Sequence, residues 1–417
     1  MRNSIFTGLV ALAAVGGLSA CDSFVEDTDP PIDRVVSDSL DTVSQVPFLI
    51  TGVEEGFNDA YDATAVVADL LSDAAIFDTD VRNATFPTFD DIDDGEIEND
   101  NNSIDGPYNA VNEYRFLADD LLRRTNETID FGDDEEGQRL RDQALYAANF
   151  HGGIARYFLG TYFGTGPTTG GAPISDDPDN PSPASSTAEL YAAADAKLAA
   201  ALAVAPDDYE RRVINTLRAR IALFSGDRSA AASFAANGLT DGDEPYTGDY
   251  ASTSANDWWA SGGRGRTQVA VAPRFAAYDE VDDRTLVEPA PKVDNPESSD
   301  PFYRQALYLT DSASIPFVSW QENALILAEA ALNGAGGGDA TALINAVRAS
   351  RGIDALDGSA DQDDLLEARD RELFTQGQRL VDQRRFNLPF TNLDGALPGP
   401  WRFFPITQTE VNANPNL

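Results

Sequence analysis

One histidine, His151, and one cysteine, Cys21, occur in the whole 417-residue chain, and that scarcity limits the chemistry its side chains could perform. A Ser-His-Asp relay would have a single base to draw on, and a zinc site would lack ligands. His151 sits at helical spacing beside Gly152-Gly153, where packing is the simpler expectation. With 70 Asp and Glu residues, a glycosidase pair could be drawn from many positions, yet no motif selects any two of them. The run Asp90-Asp91-Ile92-Asp93-Asp94-Gly95 approaches a calcium loop but puts Ile92 at the third ligand position and Asn101 at the twelfth. The EF-hand pattern fails there, which leaves a loosely bound calcium as the one inorganic partner to consider and no cofactor. Catalysis is not the expectation.

The remaining distinctive residues suit binding. Trp258 and Trp259 stand side by side in a Gly-rich irregular stretch, and large aromatics on loops stack on sugar faces or grip peptide side chains. Arg82, Phe86 and Phe89 in an earlier irregular stretch are weaker candidates of the same kind. Glu372, Gln376, Arg379 and Asp382 recur at steps of four, three and three, which on a continuous helix would line one face and let Arg379 pair with carboxylates above and below. That spacing predicts a structural network holding a helix in place, because ion pairs of this sort commonly serve the fold.

The formal charge is −41. Lys197 and Lys292 are the only lysines, and Arg supplies the rest of the 29 basic residues. Nucleic acid is excluded as a partner, since phosphate binding needs a basic footprint. The acid is spread along the chain, which fits the solvated surface of a protein adapted to high salt, where screening relieves self-repulsion. At the N-terminus, Arg2 is followed by an apolar run from Ile5 to Leu18, then Ser19-Ala20-Cys21, the build of a secretory signal with a small-residue cleavage site. It resembles the lipobox of bacterial lipoproteins, which implies acylation of Cys21 and a stable lipid anchor. Residues 1–20 are expected to be the signal peptide and 21–36, with Pro30-Pro31, an acidic tether.

From residue 37 to 417 helical periodicity dominates, and one helical domain is expected. Helices are predicted over 41–60, 62–75, 108–124, 137–160, 187–205, 209–225, 228–239, 317–333, 339–350 and 362–386. Two regions break the pattern, 78–107 (ending at Gly106-Pro107) and 240–312, and are read as large irregular loops. The Ala-rich pairs joined at Gly226-Asp227 resemble tetratricopeptide repeats. The fold class is mostly α, with a tetratricopeptide-like scaffold and two loop regions on the opposite face.

The C-terminal third carries a family resemblance. Trp320-Gln321-Glu322-Asn323-Ala324-Leu325-Ile326-Leu327-Ala328-Glu329-Ala330 is followed by Leu343 to Gly352 (LINAVRASRG), then Arg369 to Arg385 (RDRELFTQGQRLVDQRR), Phe404-Pro405-Ile406 and Asn414-Pro415-Asn416. This order is similar to the SusD/RagB family of outer-membrane nutrient-binding lipoproteins, with Gln376 and Gln383 where that family has Glu and Leu. Asp282-Asp283-Arg284 resembles its D-P-R turn. The resemblance implies a non-enzymatic protein, anchored in the outer membrane and facing the cell exterior. It would capture an oligosaccharide and deliver it to a SusC-like, TonB-dependent barrel. An oligopeptide ligand, or an adaptor lipoprotein without a small ligand, are the alternatives.

Overall fold

A computed structural model describes residues 37–175, 180–292, 302–390 and 400–417. The segments expected to be signal peptide and tether, with Cys21, therefore lie outside the described residues. Among those described, no helix is long and apolar enough to cross a membrane.

The scaffold begins with α1 (Val46–Leu71), a single helix where two were expected. Gly52 and Gly56 do not interrupt it; Gly52 faces open space, and at Gly56 a Cβ would make only an ordinary contact, 3.4 Å from Tyr114 and Leu117, so neither glycine marks a break. A short α2 (Pro87–Asp93) follows, inside the stretch read as loop. Then α3 (Asn102–Glu127) starts well before the predicted Tyr108, because the Asn101 side chain caps it by accepting from Ser103 N at 3.0 Å. Pro107 therefore sits inside the helix near its start, where it removes a single backbone donor.

Helix α4 (Glu135–Tyr162), capped by Asp134, is buried on every side from Asn149 to Tyr162 and forms the centre of the domain. Three shorter helices, α5 (Thr187–Ala203), α6 (Asp208–Phe224) and α7 (Arg228–Ala235), carry caps at Ser186, Asp207 and Asp227. Gly226, at φ 85°, makes the turn between the last two.

The second irregular region contains α8 (Asp257–Ala260) and α9 (Arg274–Asp279). It also contributes three strands to a small antiparallel sheet: Ala270–Val271, Tyr303–Gln305 and Val287–Pro289. Ala75–Ile76, just ahead of the first irregular region and where helix was expected to end, pairs with Ala270–Val271 at the edge of this sheet, and Val81 in the first region bridges Lys292 in the second. The chain closes with α10 (Trp320–Leu332), α11 (Ala340–Ser350), α12 (Gln362–Glu372), α13 (Arg379–Phe386) and α14 (Gln408–Ala413).

The single helix expected over 362–386 is broken at residues 373–378, where Thr375 and Gly377 adopt φ of 66° and 71°. Tertiary contacts account for the break. The Trp258 indole donates to Thr375 O at 2.8 Å, Tyr308 bonds the Thr375 hydroxyl at 2.9 Å, and a side chain at Gly377 would meet the Ala65 backbone at 3.1 Å.

The core is aromatic where α1, α4 and the strand Ile315–Val318 meet. Tyr61 and Phe317 pack edge-on at 4.9 Å, Phe57 and Phe317 at 5.2 Å, and Phe158 joins at 5.6 Å. Arg220 of α6 enters this apolar centre fully buried, with its guanidinium 4.8 Å from the Phe317 ring. Glu322 of α10 neutralises it, at 2.6 and 2.5 Å.

Candidate functional site

Adjacent residues on a helix point about 100° apart, and α8 separates the two tryptophans accordingly. Asn256 caps the helix by accepting from Trp259 N at 3.1 Å and ties it down by donating to Ala313 O at 2.7 Å. Trp258 turns inward, is 1 % exposed, and spends its indole N–H on Thr375. It has no surface left for a ligand, which removes Trp258 from the two rings offered as candidates to stack on one. Trp259 stays half-buried, packed at the edge of the core. Trp258→Ala should lower stability by about 3–5 kcal/mol, the usual range for emptying a buried aromatic site. Trp259→Ala should cost about 1 kcal/mol or less. Denaturant midpoints of the two variants check the contrast, and similar losses would refute the division.

Over Trp259 lies a tight turn, Gly262 to Thr267, closed by pairing of its two ends. Gly265 N donates to Trp259 O at 2.9 Å, and a side chain at Gly265 would touch the Trp259 ring at 3.0 Å. The turn exposes Arg264 and Arg266. The Arg266 guanidinium sits 4.7 Å over the Phe86 ring and donates to the Thr85 hydroxyl. Phe86 is exposed, while Phe89 beneath it is buried and props it edge-on at 5.9 Å. Arg82, four residues before Phe86, is exposed, its backbone N bonded to Pro291 O at 2.7 Å. Arg264 and Arg304 share Glu288, at 3.0 and 2.7 Å.

The structure thus brings Trp259 and Phe86 together around the Gly262–Thr267 turn, leaves Arg82 exposed four residues before Phe86, and buries Trp258 and Phe89. Arg264 and Arg266 went unnoticed in the sequence. Their signal is Gly262-Gly263-Arg264-Gly265-Arg266, two cations on a glycine-rich turn in a chain poor in cations.

Glu372, Gln376, Arg379 and Asp382 do not share a helix face, because the break at 373–378 divides them. Glu372 pairs with Arg284 and, at 2.7 Å, with Arg351. Arg379 grips Asp73 at 2.5 and 2.8 Å, with Asp370 at 3.7 Å, instead of the helical neighbours expected. Asp382 takes Arg369 at 2.7 Å and Arg385 at 3.1 Å. Gln376 bonds the Glu372 carbonyl at 3.1 Å. These pairs tie α12, α13, α1 and the Asp282-Asp283-Arg284 turn together. On the side of Glu372 and Arg351, a cleft of about 760 Å³ runs past Tyr308, Trp320 and Glu244.

The acidic run at 90–95 folds as the end of α2, and Asp93 accepts from Phe77 N at 2.8 Å. Among the described residues no group of three or more His, Cys, Asp or Glu is placed to hold a metal ion. His151 is buried among Phe57, Phe150 and Tyr114, with the Tyr114 hydroxyl 2.7 Å from Nδ1. Burial lowers its pKa to about 3, so it is a neutral core residue with no access to substrate.

No family model matches the sequence, and no curated protein matches it. Solved structures do. A SusD superfamily protein from Bacteroides fragilis aligns with a TM-score of 0.69 at 15 % identity, over 90 % of this chain and 99 % of that one. A SusD-like carbohydrate binding protein from Bacteroides vulgatus gives 0.68 at 17 %, over 90 % and 97 %. Surface glycan-binding protein A from Bacteroides thetaiotaomicron, solved in complex with laminarihexaose, gives 0.66 at 13 %, over 90 % and 98 %. The fold of this chain is that of the SusD superfamily.

Proposed function

We propose that this protein is a lipid-anchored, nutrient-binding component of the outer-membrane surface. It captures oligosaccharides on the face formed by Trp259, Phe86, Arg82 and the 262–267 turn, and passes them to a SusC-like, TonB-dependent barrel. The carrying observation is that face: aromatic rings with guanidinium donors beside them, on irregular segments held by a rigid helical scaffold. Rings stack on the apolar faces of sugars, and planar donors reach the hydroxyls around them. A neighbour of the same fold is named as a complex with laminarihexaose, which supports a sugar as the ligand. The anchor is Cys21, with residues 21–36 as tether, and Glu372, Arg379 and Asp382 serve the fold.

Replacing Trp259 and Phe86 with Ala should weaken oligosaccharide binding by about 1–3 kcal/mol with helix content retained. Titration calorimetry over an oligosaccharide panel measures it. Gentle detergent extraction at native expression should bring a large barrel protein down with this one. Unchanged affinity in the double variant would move the site elsewhere, and recovery of the protein alone would favour the adaptor reading.

A further inference from the structure

The proposed face carries arginines that lack a carboxylate of their own. The chain carries 70 acidic and 29 basic residues, and its buried guanidiniums are spent on carboxylates, as Arg220 on Glu322, Arg284 on Asp282 and Glu372, and Arg369 on Asp382. At the 262–267 turn, guanidiniums outnumber the carboxylates paired with them. Arg82 and Arg266 have no carboxylate partner among the described residues, and Arg264 and Arg304 share the single carboxylate of Glu288. Arg266 is also pre-set: stacked on Phe86 and pinned by Thr85, it loses little freedom on meeting a ligand.

We infer that this face selects oligosaccharides bearing oxyanion groups, uronate carboxylates or ester sulfates, over neutral ones. The inference rests on the oligosaccharide-capture reading above and deepens it. A guanidinium fork matches a carboxylate or sulfate through two parallel, charge-assisted N–H donors, which are stronger than donors to a neutral hydroxyl. The protein's overall negative field repels an anionic glycan at long range, but screening confines that field to about 8 Å at physiological salt. At contact the local guanidiniums decide. Phe86 and Trp259 hold the apolar ring faces while Arg82 and Arg266 take the ring substituents.

The test uses the full-length protein in detergent and three probe sets of matched length: laminarihexaose with other neutral hexasaccharides, oligogalacturonates, and sulfated galactan oligosaccharides. The oxyanion-bearing probes should bind at least about tenfold more tightly than neutral ones at 0.15 M salt. The uronate and sulfate arms separate the two sources of the charge. In an Arg82→Gln/Arg266→Gln variant that preference should collapse, while the unfolding midpoint stays put because both side chains are exposed. Equal affinity for neutral and anionic probes, or a preference that survives the double variant, overturns the inference and leaves oligosaccharide capture standing. Binding of no probe in any set overturns both.

Discussion

Arg220→Met is expected to destabilise the protein by about 3–5 kcal/mol, the cost of leaving one member of a buried ion pair without its partner. Arg220 and Glu322 are exposed by only 0 % and 1 %, so water cannot replace what is lost. The guanidinium also donates to the Phe317 carbonyl and packs against the rings of Phe317 and Tyr157. Burial pulls the Arg220 pKa down, but Glu322 and Tyr157 more than offset it, so the guanidinium stays charged. In the single variant the Glu322 carboxylate is stranded in the apolar centre. A second change, Glu322→Met, should recover much of the loss, since replacing both charges by apolar groups of similar volume is often close to neutral. Denaturant unfolding of the wild type, both single variants and the double variant gives the coupling directly. Additive losses would refute the pair as the cause.

The second large effect depends on pH. His151 has a folded-state pKa of about 3 because burial disfavours its charged form, against about 6.5 in an unfolded chain. Between those values the unfolded state binds one more proton than the folded state. Its contribution to stability is therefore fully present above pH 6.5 and falls by about 1.4 kcal/mol per unit as the pH drops through the window. Buried Asp62 and Asp69 act in the opposite sense: burial raises their pKa values, so acid relieves them. A comparison with His151→Gln isolates the histidine, since the aspartates are common to both proteins and Gln can still bond Tyr114. Relative to the variant, the wild type should lose about 2 kcal/mol of stability between pH 7 and pH 5. A difference between the two proteins that does not change with pH would mean that His151 is open to water in the folded state.

Much of the architecture was legible in the residues. Apolar spacing located the scaffold helices, and capping residues such as Ser186, Asp207 and Asp227 sit where the starts were read, because helix formation and capping are local. The residues from Trp320 to Asn416 carried the family resemblance, and the SusD-like fold agrees with it. Errors came where a local signal met a distant partner. Gly106-Pro107 looked like the end of a loop, but the Asn101 cap starts α3 ahead of it. The 362–386 pattern is periodic enough for one helix, yet Trp258 and Tyr308 hold Thr375 in a break. That break also scattered the four polar residues whose spacing suggested a shared face.

The proposed binding face shows the same division more sharply. Composition and residue type singled out Trp258, Trp259, Arg82, Phe86 and Phe89, because large aromatics in irregular segments are visible without coordinates. Which ring is buried was not, since Trp258 and Trp259 are neighbours in sequence and only the direction of α8 relative to the core distinguishes them. Nor could the sequence bring Arg266 to Phe86, residues 180 positions apart that meet because the two irregular regions pack together beside a small sheet that pairs Ala75–Ile76 with strands of the second. Local periodicity and composition determined the class of fold and the kinds of residue available for binding. Long-range packing decided which of them face outward together, because burial depends on what the rest of the chain places over each side chain.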